Sequence, residues 1–367
     1  MKIYVTRPDI PVKAIESLKK NHEVNIYDKH SPISREALLA GVKGVDALYC
    51  LLTDKIDKEV LDAAGPQLKV IATMSVGYDH IDIAECKARG IKVSNTPNVS
   101  TDSVAELTVT LLLAAGRRLL EASSAIKNGE WIYHWSPMWL CGYGLHGATV
   151  GIVGMGRIGE LSHKSLNSQV ADGPTTDKLC CAGQGVMQRV LPFGVSKVLY
   201  YDVFHPIKPA EEMGAIYTPF EELVKQADFI VAMCNLSAET HHLFNKKAFD
   251  LMKPNAVFVN TSRGGVVNQD DLHDALKAKK IHAAGLDVMD PEPLPRDNKL
   301  TTLDNISELT TCDRLLALHI TCRRCFSATC DFALLTTSVW LYSPNSSPPL
   351  CDCTVLTPHY LCVTVQS

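Results

Sequence analysis

Three stretches of the chain carry side chains that could do chemistry. The first is Gly154-Met155-Gly156-Arg157-Ile158-Gly159, directly after the apolar run TVGIV. Glycines at that spacing after a strand let the backbone approach a pyrophosphate, which then rests on the N-terminus of the next helix. The second is Asn260-Thr261-Ser262-Arg263-Gly264-Gly265, after the run VFV. An arginine at the end of a parallel strand faces the crevice where ligands bind, and its planar fork matches a carboxylate. The third is GLDVMDPEPLP, residues 285–295. Asp287 ends a strand there, and Glu292 sits in a proline-stiffened loop, where it could orient a histidine and raise its pKa. A tight turn, a surface arginine and a solvated acidic loop are the structural alternatives to these three readings.

A dinucleotide fingerprint also needs an acid for the ribose, about 20 residues beyond its last glycine. The candidate, Asp202 at the end of KVLYYD, lies 43 residues past Gly159. Residues 160–183 have no clean period. Without them, Asp202 falls 19 residues after Gly159, and QGVMQRVLPFG reads as a helix followed by a turn. Residues 160–183 are therefore expected to be an insertion.

These residues need a scaffold of parallel strands. Residues 1–99 alternate β-rich runs (IYVT, EVNIY, ALYCLL, KVIATM, KVSN) with amphipathic helical patterns. Residues 100–128 form the longest helical signal, with Ser100 or Thr101 as cap and a middle apolar nearly all round. A second series follows, with strands expected at 149–153, 197–202, 229–234, 257–259 and 282–288. This alternation predicts an α/β fold of two Rossmann-like, doubly wound parallel-sheet domains around a cleft.

Composition narrows the function. The 367 residues include 36 basic and 40 acidic side chains, for a net charge of −4, which gives no electrostatic reason to expect nucleic acid. Hydrophobic residues at 46% and charged residues at 21% are globular values. No apolar run approaches the ~20 residues that span a bilayer. The start reads as a strand rather than a signal, so the cytoplasm is the expected location. Of thirteen cysteines, seven lie beyond residue 306. His319, Cys322, Cys325 and Cys330 lack the second well-spaced pair of a zinc site, so no metal is expected.

Taken with TMSVGYDHID, STDSVAELTVTLLL and WLCGYGL, these motifs resemble the D-2-hydroxyacid dehydrogenase family, and within it the glyoxylate/hydroxypyruvate reductases. The resemblance covers residues 1–306 apart from 160–183. It implies a substrate domain at 1–99 and an NAD(P)-binding domain at 100–306. It also implies catalytic Arg263, Glu292 and a histidine in a Pro-His pair after a strand. Omitting 307–354 gives LTTLDNI-VLTPH, so His359 matches that histidine, and 355–359 would return to the coenzyme domain. Residues 307–354 then stand as a second insertion and 360–367 as a tail outside the family pattern, without the usual C-terminal helix. Unspliced or mispredicted gene sequence would account for both inserts.

The resemblance places Val76 and Gly77 against the substrate carboxylate, Leu52 in the same pocket, and Trp139 toward a neighbouring subunit's site. Ordinary packing remains an alternative for Leu52 and Trp139. Gly154, Gly156, Arg157, Ile158 and Gly159 would hold the pyrophosphate, Asp202 the ribose, and Asp287 would lie near the nicotinamide. A homodimer that reduces a small 2-oxo acid, glyoxylate or hydroxypyruvate, is implied. The subfamily points to NADP(H), whereas Asp202 favours NAD(H) by repelling a 2′-phosphate. Two rivals stand beside this reading: a catalytically impaired dinucleotide-binding homologue and a co-repressor-like binding module.

Overall fold

The computed structural model describes residues 1–96, 100–155, 182–203 and 205–308. Its first sheet has five parallel strands: β1 (Lys2–Val5), β2 (Glu23–Ile26), β3 (Ala47–Cys50), β4 (Val70–Thr73) and β5 (Lys92–Ser94), in the order β2-β1-β3-β4-β5. Helices α1 (Val12–Lys19), α2 (Arg35–Gly41), α3 (Lys58–Ala64) and α4 (Ile83–Ala88) connect them. All four residues of β3 and of β4 are buried, as expected of central strands covered on both faces. The helix starts are set by short polar side chains. Asp57 accepts from the Val60 N–H at 3.3 Å, and Asp82 accepts from the Glu85 N–H at 2.9 Å.

Helix α5 (Thr101–Gly116) leads out of this unit, and α6 (Leu119–Lys127) follows it. Ser100 occupies the N-cap position of α5 but makes no side-chain capping bond, contrary to the sequence expectation. Acids in the first turns are used differently. Arg189 reaches across to Asp102 at 3.0 Å and Glu106 at 3.3 Å.

The second sheet has seven parallel strands. They are β6 (Thr149–Val153), β7 (Lys197–Tyr201), β8 (Ile216–Tyr217), β9 (Phe229–Ala232), β10 (Val257–Asn260), β11 (Ala283–Leu286) and β12 (Ile306–Glu308). Their order, β12-β11-β10-β9-β6-β7-β8, reverses direction between β6 and β9. That reversal is the switch point at which a doubly wound sheet leaves a crevice at its strand C-termini. Helices α7 (Ala182–Val190), α8 (Lys208–Glu212), α9 (Phe220–Gln226), α10 (Lys246–Leu251) and α11 (Gln269–Lys277) complete the unit. Phe229, Phe244, Phe249 and Phe258 are fully buried around this sheet.

The two-sheet α/β expectation therefore holds, and each strand expected within the described residues forms. Two strands were not foreseen. The two-residue β8 is too short for a periodic signal. β12 pairs Ile306, Ser307 and Glu308 with Ala284, Gly285 and Leu286. Elements also reach two residues into each segment that the sequence sets aside. Helix α7 starts at Ala182, inside 160–183, and β12 ends at Glu308, inside 307–354. The rest of both segments, the strand expected near 355–359 and the tail 360–367 lie outside the described residues. Among the described residues no helix is long and apolar enough to cross a membrane.

Candidate active site

The carboxylate-binding loop expected at Val76 and Gly77 leaves the C-terminal end of β4. Three of its carbonyls are held in turn. Ser75 O accepts from the Thr96 N–H at 2.9 Å, Val76 O from Asn95 Nδ2 at 2.8 Å, and Gly77 O from the Ser75 hydroxyl at 2.6 Å. In a planar trans peptide the N–H points opposite to the C=O. Pinning the Ser75 and Val76 carbonyls therefore turns the Val76 and Gly77 N–H groups the other way, where neither meets an acceptor among the described residues. Two unspent donors on a fixed backbone suit an anion.

Arg263 faces this loop from the other sheet. It follows β10 in a turn built by Asn260, whose Nδ2 donates to Arg263 O at 2.9 Å. The Asn260 Oδ1 accepts from the Ser262 N–H and hydroxyl at 3.0 and 2.9 Å. The guanidinium passes so close to Gly77 that a Cβ there would lie 1.8 Å from Nη2. Its Nη1 donates to Ser262 O at 2.8 Å. Nε and Nη2 both donate to Asp79 Oδ1 at 3.3 Å. The edge of the fork that suits a carboxylate thus already holds one, from Asp79. Both partners are partly exposed, so the pair is worth at most about 1 kcal/mol and yields readily to a better ligand.

Glu292 lies in the loop after β11. Its Oε1 accepts from the Met289 N–H at 2.9 Å, which fixes the carboxylate while Oε2 has no donor among the described residues. Asp287 is buried one residue past β11, and its N–H donates to Asn260 O at 3.0 Å. This ties the Asp287 strand end to the Arg263 turn. Gly264 permits the approach of the two loops, since a Cβ there would meet the Met289 carbonyl at 1.9 Å. His359 lies outside the described residues.

At the nucleotide end, Gly154 adopts a φ of 101°, and a Cβ there would lie 2.6 Å from the Cys234 N. Asp202 is only 9% exposed and accepts the Met155 N–H at 2.8 Å. The acid expected 19 residues downstream therefore does reach the turn. Gly156, Arg157, Ile158 and Gly159 lie outside the described residues. Helix α7 nevertheless packs tightly on the strand end. A Cβ on Gly183 would stand 2.4 Å from Gly154 O, and Gln184 Nε2 donates to Met155 O at 3.3 Å. Gly183 was missed because it ends the segment set aside as an insertion. The signal was present, since CAGQG places a small residue in the first turn of the helix. Burial pushes the thiol of Cys234, beside this turn, up to about 12.

The loop, Arg263 and the Glu292–Asp287 segment thus converge at strand C-termini, and Gly154 with Asp202 marks a second position at the switch point. Leu52 follows β3 on the same edge as the loop and is 39% exposed. Trp139 sits elsewhere, in an arm beyond α6, where it lines a hollow with Trp131, Ile132 and Tyr133. Asp79 and Asn260 are site residues whose roles sequence reading did not assign. Short polar residues in loops carry no periodic signal.

Residues 109–170 and 181–310 match the model of the D-isomer specific 2-hydroxyacid dehydrogenase NAD-binding domain. The chain is also 47% identical over 307 residues to human glyoxylate reductase/hydroxypyruvate reductase, covering 83% of this chain and 86% of that protein. It belongs to the D-isomer specific 2-hydroxyacid dehydrogenases.

Two solved members of this family bear on the site. D-lactate dehydrogenase from Aquifex aeolicus, complexed with NAD and lactic acid, is 27% identical with a TM-score of 0.70, covering 91% of this chain and 93% of that one. The NADPH-dependent glyoxylate/hydroxypyruvate reductase of Sinorhizobium meliloti, in complex with NADP and malonate, is 25% identical with a TM-score of 0.68, covering 91% of each. The dehydrogenase family model skips residues 171–180 and resumes at 181, just before α7. The break falls within the segment that the Asp202 spacing had set aside.

The dinucleotide fit rests on a close approach that tolerates no side chain. Gly183→Val should drive α7 off the Gly154 carbonyl and weaken NADH binding about tenfold or more, read by fluorescence titration of the nicotinamide.

Proposed function

We propose that this chain reduces a small 2-oxo acid, glyoxylate or hydroxypyruvate, to the 2-hydroxy acid with a nicotinamide dinucleotide. The observation that carries the reading is the pairing of two free loop amides, Val76 and Gly77, with the Arg263 fork across the cleft. The human relative is named glyoxylate reductase/hydroxypyruvate reductase, after the same substrates. In this reading the substrate carboxylate displaces Asp79 from Nε and Nη2 of Arg263, and the loop amides take its other oxygen. That fixes the carbonyl carbon in one orientation, which is where a small substrate gains most of its advantage. Leu52 lines the pocket. Bound NAD(P)H supplies the hydride. Glu292, held by Met289, keeps His359 protonated through Oε2, and His359 delivers a proton to the developing alkoxide. Asp287 sits under the nicotinamide side of the cleft. Gly154, Gly156, Arg157, Ile158 and Gly159 hold the pyrophosphate.

The domain division that goes with this reading is a substrate domain at 1–99 and a coenzyme domain from 100 onward. Between NADH and NADPH, the placement of Asp202 favours NADH. Its carboxylate is buried and fixed by Met155, so a 2′-phosphate would face it without room to relax. The same chain acting as a homodimer explains the arm beyond α6, where Trp131, Trp135 and Met138 are 56%, 78% and 80% exposed. Free thiols at Cys50, Cys86, Cys141 and Cys234 suit a cytosolic setting.

One observation favours the impaired homologue as a second reading. Residues 156–181 stand between Met155 and the start of α7, where the dinucleotide fingerprint needs only a few. A chain of this kind would keep the anion pocket and lose turnover.

The readings separate by assay. Hydroxypyruvate reduction by the full chain is expected, and Arg263→Gln should lower kcat/KM about a hundredfold or more through loss of the charged fork. No turnover by the wild type, with oxalate still bound, would select the impaired homologue. At equal concentrations NADH should outperform NADPH about tenfold, the ratio expected of a fixed like charge. Sedimentation should give a dimer that Trp135→Glu converts to monomer, since burying a charge there would cost several kcal/mol.

A further inference from the structure

Behind the carboxylate-binding loop lies a chain of side chains with no assigned role. His80 Nε2 is 3.0 Å from Thr73 Oγ1, Thr73 Oγ1 is 2.7 Å from Ser75 Oγ, and the Ser75 hydroxyl donates to Gly77 O at 2.6 Å. Thr73 and Ser75 are buried. Counting protons fixes the direction of every bond. A carbonyl only accepts, so the single Ser75 proton goes to Gly77 O. Ser75 Oγ must then accept from Thr73, whose own single proton is spent there. Across the His80 contact Thr73 Oγ1 must therefore accept, which requires an N–H on His80 Nε2.

We propose that His80 is a positioning residue for the 2-oxo acid carboxylate, acting through this one-way relay, His80 to Thr73 to Ser75 to the Gly77 carbonyl. The inference rests on the reductase reading for what the loop binds. Gly77 lies between two peptide planes. Asn95 holds the first by the Val76 carbonyl, and the relay holds the second by the Gly77 carbonyl. Releasing the second plane frees rotation about the Gly77 Cα–C bond, which shifts the following Tyr78–Asp79 segment against Arg263 and disturbs the gap where the guanidinium passes Gly77. The remaining ring nitrogen agrees with the assignment. His80 Nδ1 is buried without a hydrogen-bond partner, as suits an unprotonated nitrogen. Burial also holds the His80 pKa below its ordinary value, against the pull of Asp79 and Asp54. His80 touches neither substrate nor cofactor in this scheme.

The test compares His80→Leu, which removes the donor, with His80→Gln, which carries an N–H at similar reach. His80→Leu is expected to raise the KM for hydroxypyruvate and the Kd for oxalate about tenfold, with kcat within about twofold, because ground-state binding is lost. His80→Gln should restore most of both, and the KM for NADH should not move. Imidazole 15N spectra of the wild type at neutral pH should show the Nε2–H tautomer. An Nδ1–H tautomer, or equal oxalate affinity in His80→Leu and the wild type, would overturn the proposal. So would equal losses in the Leu and Gln variants. Should the wild type fail to reduce hydroxypyruvate, the reductase reading falls, while the tautomer and oxalate affinities still decide the relay.

Discussion

Everything in the cleft depends on one close approach, the Arg263 guanidinium passing Gly77 where no Cβ would fit. Arg263 is anchored in the seven-stranded sheet and Gly77 in the five-stranded one, so this contact is where the two sheets share a site. It places a delocalised cation beside free backbone N–H groups. Such a concentration of donors is unfavourable unless something negative enters, and Asp79 supplies that charge weakly in the present structure. In the proposed reading a substrate carboxylate would need only to outcompete a partly exposed pair, at small cost.

The loops around that contact are held from behind, which leaves their inward faces available. Asn260 builds the turn that presents Arg263, and its carbonyl accepts from the Asp287 N–H. Met289 fixes one oxygen of Glu292. Thr96, Asn95 and Ser75 hold successive carbonyls of the anion loop. Each of these bonds contributes only about 1 kcal/mol to stability. Their larger effect is orientation, because a preformed site spends no binding energy on ordering itself.

The nucleotide side follows the same logic with backbone in place of side chains. Gly154 allows strand β6 to turn under the end of β9, and Gly183 lets α7 sit on that turn. Asp202 closes the arrangement through the Met155 N–H. These three contacts come together although residues 156–181 separate Met155 from Ala182 in the chain. The switch point is thus set by sheet order and helix packing.

Much of this was legible in the sequence, and the reason is periodicity. Alternation of apolar runs with amphipathic patterns specifies parallel strands and covering helices, since each must bury a face. Arg263, Glu292 and Asp202 could be singled out because their types and their places at strand ends limit what they can do. The spacing from Gly159 to Asp202 alone located a break, and the family match skips residues inside it. Tertiary structure alone decided which groups meet. That Asp79 occupies the Arg263 fork, that Gly183 packs on Gly154, and that a histidine two residues from the β4 loop's end faces Thr73 are contacts between segments far apart in sequence or folded back on themselves. They depend on backbone direction and proton count, neither of which leaves a repeating pattern in the amino-acid string.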